Sequence, residues 1–132
     1  MKFDFIPFSL NADIGHFKGQ FQYISSDNGV ELYKARKVLK NYILGIPVSN
    51  INLYFYEGNL ITLYIHLVEN PQSFEQVRKT LETSIGRQGE ALKTGISIGY
   101  SWNGQNEILA LINSQENRKV CLYYTLLRFS IL

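Results

Sequence analysis

Apolar and polar residues alternate along most of the chain, and a period of two is the mark of half-buried β-strands. Phe17-Lys18-Gly19-Gln20-Phe21-Gln22-Tyr23 places Phe17, Phe21 and Tyr23 on one face. Ser25-Ser26-Asp27-Asn28-Gly29 supplies a turn cluster. Val30 to Leu39 reads as a strand returning along the first, although its Lys and Arg content also suits a helix. The strongest pattern is Ile51-Asn52-Leu53-Tyr54-Phe55-Tyr56, then Glu57-Gly58-Asn59, then Leu60 to Leu67. Keeping the large aliphatic residues on one face pairs Phe55 with Ile61, Leu53 with Leu63 and Ile51 with Ile65, across a loop of Glu57-Gly58-Asn59. A two-residue turn at Gly58-Asn59 or at Glu57-Gly58 is rejected because either sets Phe55 against a residue of the opposite face.

One segment has helical period instead. Asn70-Pro71 ends the strand, Ser73 to Gln76 has the form of a capping box, and Phe74, Val77, Leu81, Ser84 and Ile85 recur along one side. Gly86 is placed to end the helix. Beyond a loop from Gly86 to Gly95, strands are predicted for Ile96 to Trp102, Glu107 to Ile112 and Val120 to Leu132, with a hairpin turn at Asn103-Gly104 and a polar loop from Asn113 to Lys119. The class is α+β: an antiparallel sheet of about six or seven strands, strongly curled, packed on one amphipathic helix over about residues 73–86. Phe21, Phe55, Phe74 and Trp102 belong to the core. One helix is too small to cover such a sheet. The rest of its apolar face must curl on itself, meet a second layer or meet a partner chain.

Composition narrows the class. With 132 residues, and no linker or repeat, residues 1–132 form a single domain. A 45% apolar share with a single Cys excludes disordered, collagen-like and disulfide-scaffold chains. The net charge of +2 is weak for a nucleic-acid binder. Met1-Lys2-Phe3-Asp4-Phe5 does not begin a signal peptide, so a cytoplasmic chain is expected, with an exported domain lacking its leader as the alternative. The longest uncharged run, Asn41 to Tyr56, is too short and too polar for a membrane span.

Candidate chemistry is sparse. On the second face of the central hairpin, Tyr54 opposes Thr62, Asn52 opposes Tyr64 and Asn50 opposes His66, with Tyr56 at the end of the row. Tyr54, Tyr56, Thr62, Tyr64, His66 and Asn52 therefore form a candidate binding surface, since Tyr offers rigid area and a hydroxyl. The plain alternative is that Tyr and Thr simply suit the wet face of a sheet. Lys34, Arg36, Lys37 and Lys40 form a candidate basic patch, to be weighed against a solvated edge strand.

His16, His66, Glu69 and Cys121 have no metal-ligand spacing, so neither a metal nor a cofactor is expected. Cys121, between Val120 and Leu122, reads as a buried thiol; a triad with His66 and one of Asp4, Asp13 or Asp27 lacks an activating neighbour. Gly86-Arg87-Gln88-Gly89 follows a helix, whereas phosphate loops precede one. Ser130-Ile131-Leu132 matches a C-terminal ligand of strand-adding receptors, and an apolar strand end explains it equally well. No phosphate-binding or nucleophile motif occurs, no catalytic residue is assigned, and no enzyme is expected.

The expected function is a non-catalytic module that binds a protein partner or its own copy, as a homodimer, through the Tyr-rich face. The alternative is a small-molecule or lipid-binding domain with a cavity between sheet and helix, lined by Phe and Ile. Single-stranded nucleic-acid binding ranks third. The stretch from Gly45 to Ile65 resembles short hairpin segments of small bacterial domains, which implies no activity, and the many Asn, Ile, Lys and Tyr residues suit a bacterial genome of low GC content.

Overall fold

Three hairpins close in the same way, on a residue followed by glycine. Asn28-Gly29, Leu44-Gly45 and Glu57-Gly58 all hold positive φ at both positions, 51° and 83°, 51° and 79°, and 51° and 79°. Two-residue turns of that hand match the right-handed twist of the strands they join, and glycine takes the second position without steric cost. They link β1 (Phe21–Asp27) to β2 (Val30–Ala35), β3 (Tyr42–Ile43) to β4 (Ile46–Tyr56), and β4 to β5 (Asn59–Leu67). The helix α1 (Ser73–Ile85) follows, then β6 (Glu90–Lys93), β7 (Ser97–Asn103), β8 (Glu107–Ser114) and β9 (Lys119–Leu126). The computed structural model describes residues 3–17, 19–35, 42–67, 73–93, 97–114 and 119–131.

All strands pair antiparallel in one sheet of order β1-β2-β4-β5-β9-β8-β7-β6, with β3 on β4. The class is α+β as expected, but the details differ. The described residues form nine strands, because short β3 and charged β6 carry too little alternation to be read locally. The sheet is neither closed nor strongly curled; β1 and β6 are its edges. The first strand starts at Phe21, with Phe17 in a 3-10 turn (Ile14–Phe17), and the last ends at Leu126 and gives way to a second 3-10 turn (Leu127–Phe129). Val30–Ala35 is a strand.

Of the three expected covers for the sheet left bare by an undersized helix, strong curl is not the one observed; the N-terminal segment lies on the core as further cover. Phe3, Ile6 and Phe8 are buried in the same cluster as Phe74, Val77, Leu81 and Ile85 of α1. The core face of the sheet therefore has two covers. On the β7 side, Phe74 and Tyr100 rings lie 6.1 Å apart, and Arg78 donates to the Tyr100 hydroxyl at 2.6 Å. Trp102, 1% exposed, donates its indole N–H to the Arg87 carbonyl at 3.0 Å. The N-terminal segment begins over β9, where Phe3 meets Tyr124 edge-on at 5.7 Å, and runs from there to the β1 side of the sheet. Phe8 meets Phe17 and Phe21 edge-on at 5.6 and 5.5 Å, and Phe17 meets Phe55 at 5.6 Å. Backbone bonds fix the segment to the β4–β5 turn: Ile14 N to Gly58 O at 2.8 Å, Asn11 N to Leu60 O at 2.7 Å, and Leu60 N to Ala12 O at 2.9 Å.

α1 ends where expected, with Gly86 at φ 89° and its N–H on the Glu82 carbonyl at 2.8 Å. The Ser73 side chain, and with it the capping box, lies outside the described residues.

The central hairpin keeps the expected pairs Ile51–Ile65, Leu53–Leu63, Asn52–Tyr64, Tyr54–Thr62 and Asn50–His66, but not the expected loop. Tyr56 pairs with Asn59, so Glu57-Gly58 is the whole turn, and Phe55 pairs with Leu60. A bulge restores the faces: the register shifts between Tyr54 and Phe55, leaving Ile61 as the extra residue. The rejected turn and the favoured alternation coexist because one residue is surplus.

Candidate functional site

Alternation along β4, β5 and β9 decides what lies on the face opposite α1. Asn52, Tyr54 and Tyr56 come from β4, Thr62, Tyr64 and His66 from β5, and Cys121, Tyr123 and Thr125 from β9. The β5–β9 register sets Tyr64 beside Tyr123 and Thr62 beside Thr125. The rings form a chain: Tyr54 to Tyr64 at 5.7 Å and 67°, then Tyr64 to Tyr123 at 4.8 Å and 41°. The Thr62 and Thr125 hydroxyls share a hydrogen bond of 2.7 Å, and Thr125 Oγ1 also lies 3.1 Å from the Ile61 carbonyl oxygen and 3.3 Å from that of Leu126. Both threonines are buried, and the pair satisfies two hydroxyls that burial would otherwise penalise.

Sequence reasoning named Tyr54, Thr62, Tyr64, His66 and Asn52, and the structure gathers them. Asn52 Nδ2 lies 3.4 Å from His66 Nε2, and Asn50 Nδ2 donates to Asn52 Oδ1 at 3.3 Å. Tyr56 shares the face but turns away from the other tyrosines, packing on Phe129 at 5.6 Å. Tyr123 was missed, along with the part played by the C-terminal turn. Tyr123 sits in the apolar run Val120 to Leu126, where only the pairing of β9 with β5 reveals its neighbours. The Tyr123 hydroxyl accepts from the Ile131 N–H at 3.3 Å, which brings Phe129 and Ile131 onto this face.

Between these groups lies a cleft of about 280 Å³, lined by Val30, Tyr54, Ile61, Thr62, Tyr64 and Tyr123 and bordered by Phe129 and Ile131. Its chemistry is neutral. Burial raises the Tyr64 phenol far above the usual range, and the nearby Tyr123, Cys121 and Tyr54 raise it further. Burial, then Cys121 and Tyr123, raise Tyr54 as well. These phenols are hydrogen-bonding groups on rigid rings, and they stay protonated at any physiological pH.

Burial also pushes the Cys121 thiol from 9.0 up to about 12, against a smaller lowering by a backbone bond at Ile65. Such a thiol is no nucleophile at neutral pH. Iodoacetamide at pH 8 is expected to alkylate Cys121 in the folded protein roughly 1000-fold more slowly than in urea, the ratio of thiolate fractions. The folded-state rate should climb with pH up to about 12. Mass spectrometry of quenched time points checks this, and a rate equal to that of the unfolded chain would contradict the shift. The same shift has a stability sign. Between the unfolded and folded values the unfolded chain sheds a proton that the folded chain keeps, so stability falls as pH rises through that window.

Of the candidate basic patch, Lys34 is exposed on β2 and pairs with Asn52; Arg36, Lys37 and Lys40 lie outside the described residues. Among the described residues no three His, Cys, Asp or Glu side chains gather as a metal site would need, and no helix is long and apolar enough to cross a membrane.

A second recess lies on the core side of the sheet's β1 end. It has a volume of about 230 Å³ and is lined by Ile14, Phe17, Phe21, Tyr33 and Phe55, with Gly15 and Gly19. The expected Phe- and Ile-lined cavity was placed between sheet and helix, whereas this recess sits between the sheet and the N-terminal segment.

No protein-family model, no curated protein and no solved structure matches this chain.

Proposed function

We propose that this domain is a non-catalytic binding module that holds a protein chain, a copy of itself included, on the Tyr54–Tyr64–Tyr123 face. The observation that carries this reading is the cleft bordered by the chain's own Phe129 and Ile131. Phe129 ends a 3-10 turn and Ser130 after it is extended, so the face already accommodates apolar side chains carried by a short segment that is not a strand of the sheet. The unfilled part between them and Tyr54 and Tyr64 is sized for one or two large side chains of a partner. Clustered tyrosines at the centre of such a patch are typical anchors, since they give large area for little lost rotamer freedom. The Tyr54 and Tyr64 phenols, kept protonated by burial, offer hydrogen bonds and flat apolar area, which supports binding.

The test has two arms. Sedimentation velocity over a wide concentration range reads self-association. A photo-crosslinking benzoylphenylalanine at Asn52, followed by mass spectrometry, identifies what lies against the face. Tyr54→Ser with Tyr64→Ser is expected to weaken the association on the order of 100-fold, about 1.4 kcal/mol per ring. Both substitutions are on half-buried positions, so circular dichroism should stay native. A monomer at every concentration, with crosslinks that the double variant does not change, would sink the reading.

A further inference from the structure

We propose that the recess of Ile14, Phe17, Phe21, Tyr33 and Phe55 is a binding site for a compact, uncharged molecule of about two fused rings, independent of the Tyr54–Tyr64–Tyr123 cleft on the opposite face. Size comes first. An engineered apolar cavity of about 150 Å³ takes benzene, so the volume of about 230 Å³ here leaves room for a second ring.

The walls come next. Phe17 meets Phe21 at 5.5 Å and 68°, Phe17 meets Phe55 at 5.6 Å and 64°, and Tyr33 meets Phe55 at 5.3 Å and 84°. Edge-to-face walls present both the negative faces and the positive edges of rings, which suits a planar aromatic guest better than a saturated chain. None of the described lining side chains carries a charge, and the Tyr33 phenol is the one polar group among them, so a neutral guest with a single donor or acceptor fits.

The rim of the recess includes two glycines, Gly15 and Gly19. A Cβ on Gly19 would meet nothing within 4 Å, so the space there is open to solvent. The rim is also fixed before any ligand arrives. Gly15 N–H bonds Asp13 Oδ1 at 2.7 Å, Ile14 N–H bonds Gly58 O at 2.8 Å, and Gln20 N–H bonds Phe17 O at 3.1 Å. A preformed site has little ordering to offset on binding.

Indole is the probe. Titrated into the full chain and followed by NMR, it is expected to bind saturably with a dissociation constant on the order of 0.1 mM, the range open to a guest of about nine heavy atoms. Nuclear Overhauser contacts should run from indole protons to Phe17, Phe21 and Tyr33. Ile14→Trp, which fills the recess, should weaken binding at least about tenfold, and Tyr64→Ser on the opposite face should leave it unchanged. The Overhauser contacts in the wild-type chain stand as evidence if Ile14→Trp fails to fold. Shifts that never saturate, or contacts confined to Tyr54, Tyr64 and Tyr123, would overturn the proposal. The latter outcome would leave the protein-binding reading of that face intact.

Discussion

Phe8→Ala is expected to cost about 3 to 4 kcal/mol of folding stability, the loss typical of a large aromatic removed from a packed site. Phe8 belongs to a stretch without regular secondary structure, where truncation is ordinarily cheap. Here it is one of three N-terminal residues, with Phe3 and Ile6, that complete the core. Its ring is the edge-on partner of both Phe17 and Phe21, and Phe17 in turn packs on Phe55. Removing it opens a void under β1 and β2 that three backbone bonds at Gly58 and Leu60 cannot close. Urea unfolding should show a lower midpoint, and hydrogen exchange should quicken first in β1 and β2. A loss below about 1 kcal/mol would mean that the segment only rests on a core already complete, since that is the usual size of a surface substitution.

Gly99→Ala is expected to cost about 3 kcal/mol, the upper end for overpacking a tight site. A Cβ built on Gly99 would stand 2.2 Å from the carbonyl oxygen of Leu111, on the neighbouring strand, and 3.3 Å from Ile112 Cα. The obstacle is backbone, which cannot swing aside as a side-chain tip can. The β7–β8 ladder must open to admit it. For a chain of this length the melting temperature should fall on the order of 10 °C. An unchanged melting temperature would show that the two strands separate freely at this point.

The central hairpin was legible because its faces are chemically distinct. Ile51, Leu53, Ile65 and Leu63 against Asn52, Tyr54, Thr62 and Tyr64 leave one workable register over most of its length. Its turn was not legible, since Leu60-Ile61-Thr62-Leu63 contains an extra residue that alternation alone cannot assign. β6 was missed because an edge strand of four residues with Glu90 and Lys93 in its sequence need not alternate. Phe3, Ile6 and Phe8 follow no period at all, so nothing local marks them as a cover for the sheet. Half of the candidate site was visible for the same reason as the hairpin. Tyr123 was not, because β9 is buried along nearly its whole length, and its partnership with β5 joins residues about sixty positions apart, such as Thr62 and Thr125 with a separation of 63.

That partnership also divides the sheet. On one side, β1, β2, β4 and β5 follow one another as neighbouring strands; on the other, β6, β7, β8 and β9 do the same. Among the described strands β5 and β9 alone bridge the two sets. Each set can form by successive short-range hairpins, on the microsecond scale of such events, whereas closing the bridge carries the entropy of a long loop. The tyrosine cleft straddles the bridge, taking Tyr54 and Tyr64 from one set and Tyr123 from the other. On that order of events the tyrosine cleft is completed last, when β5 and β9 meet, and the joint between the two sets of strands runs beneath it.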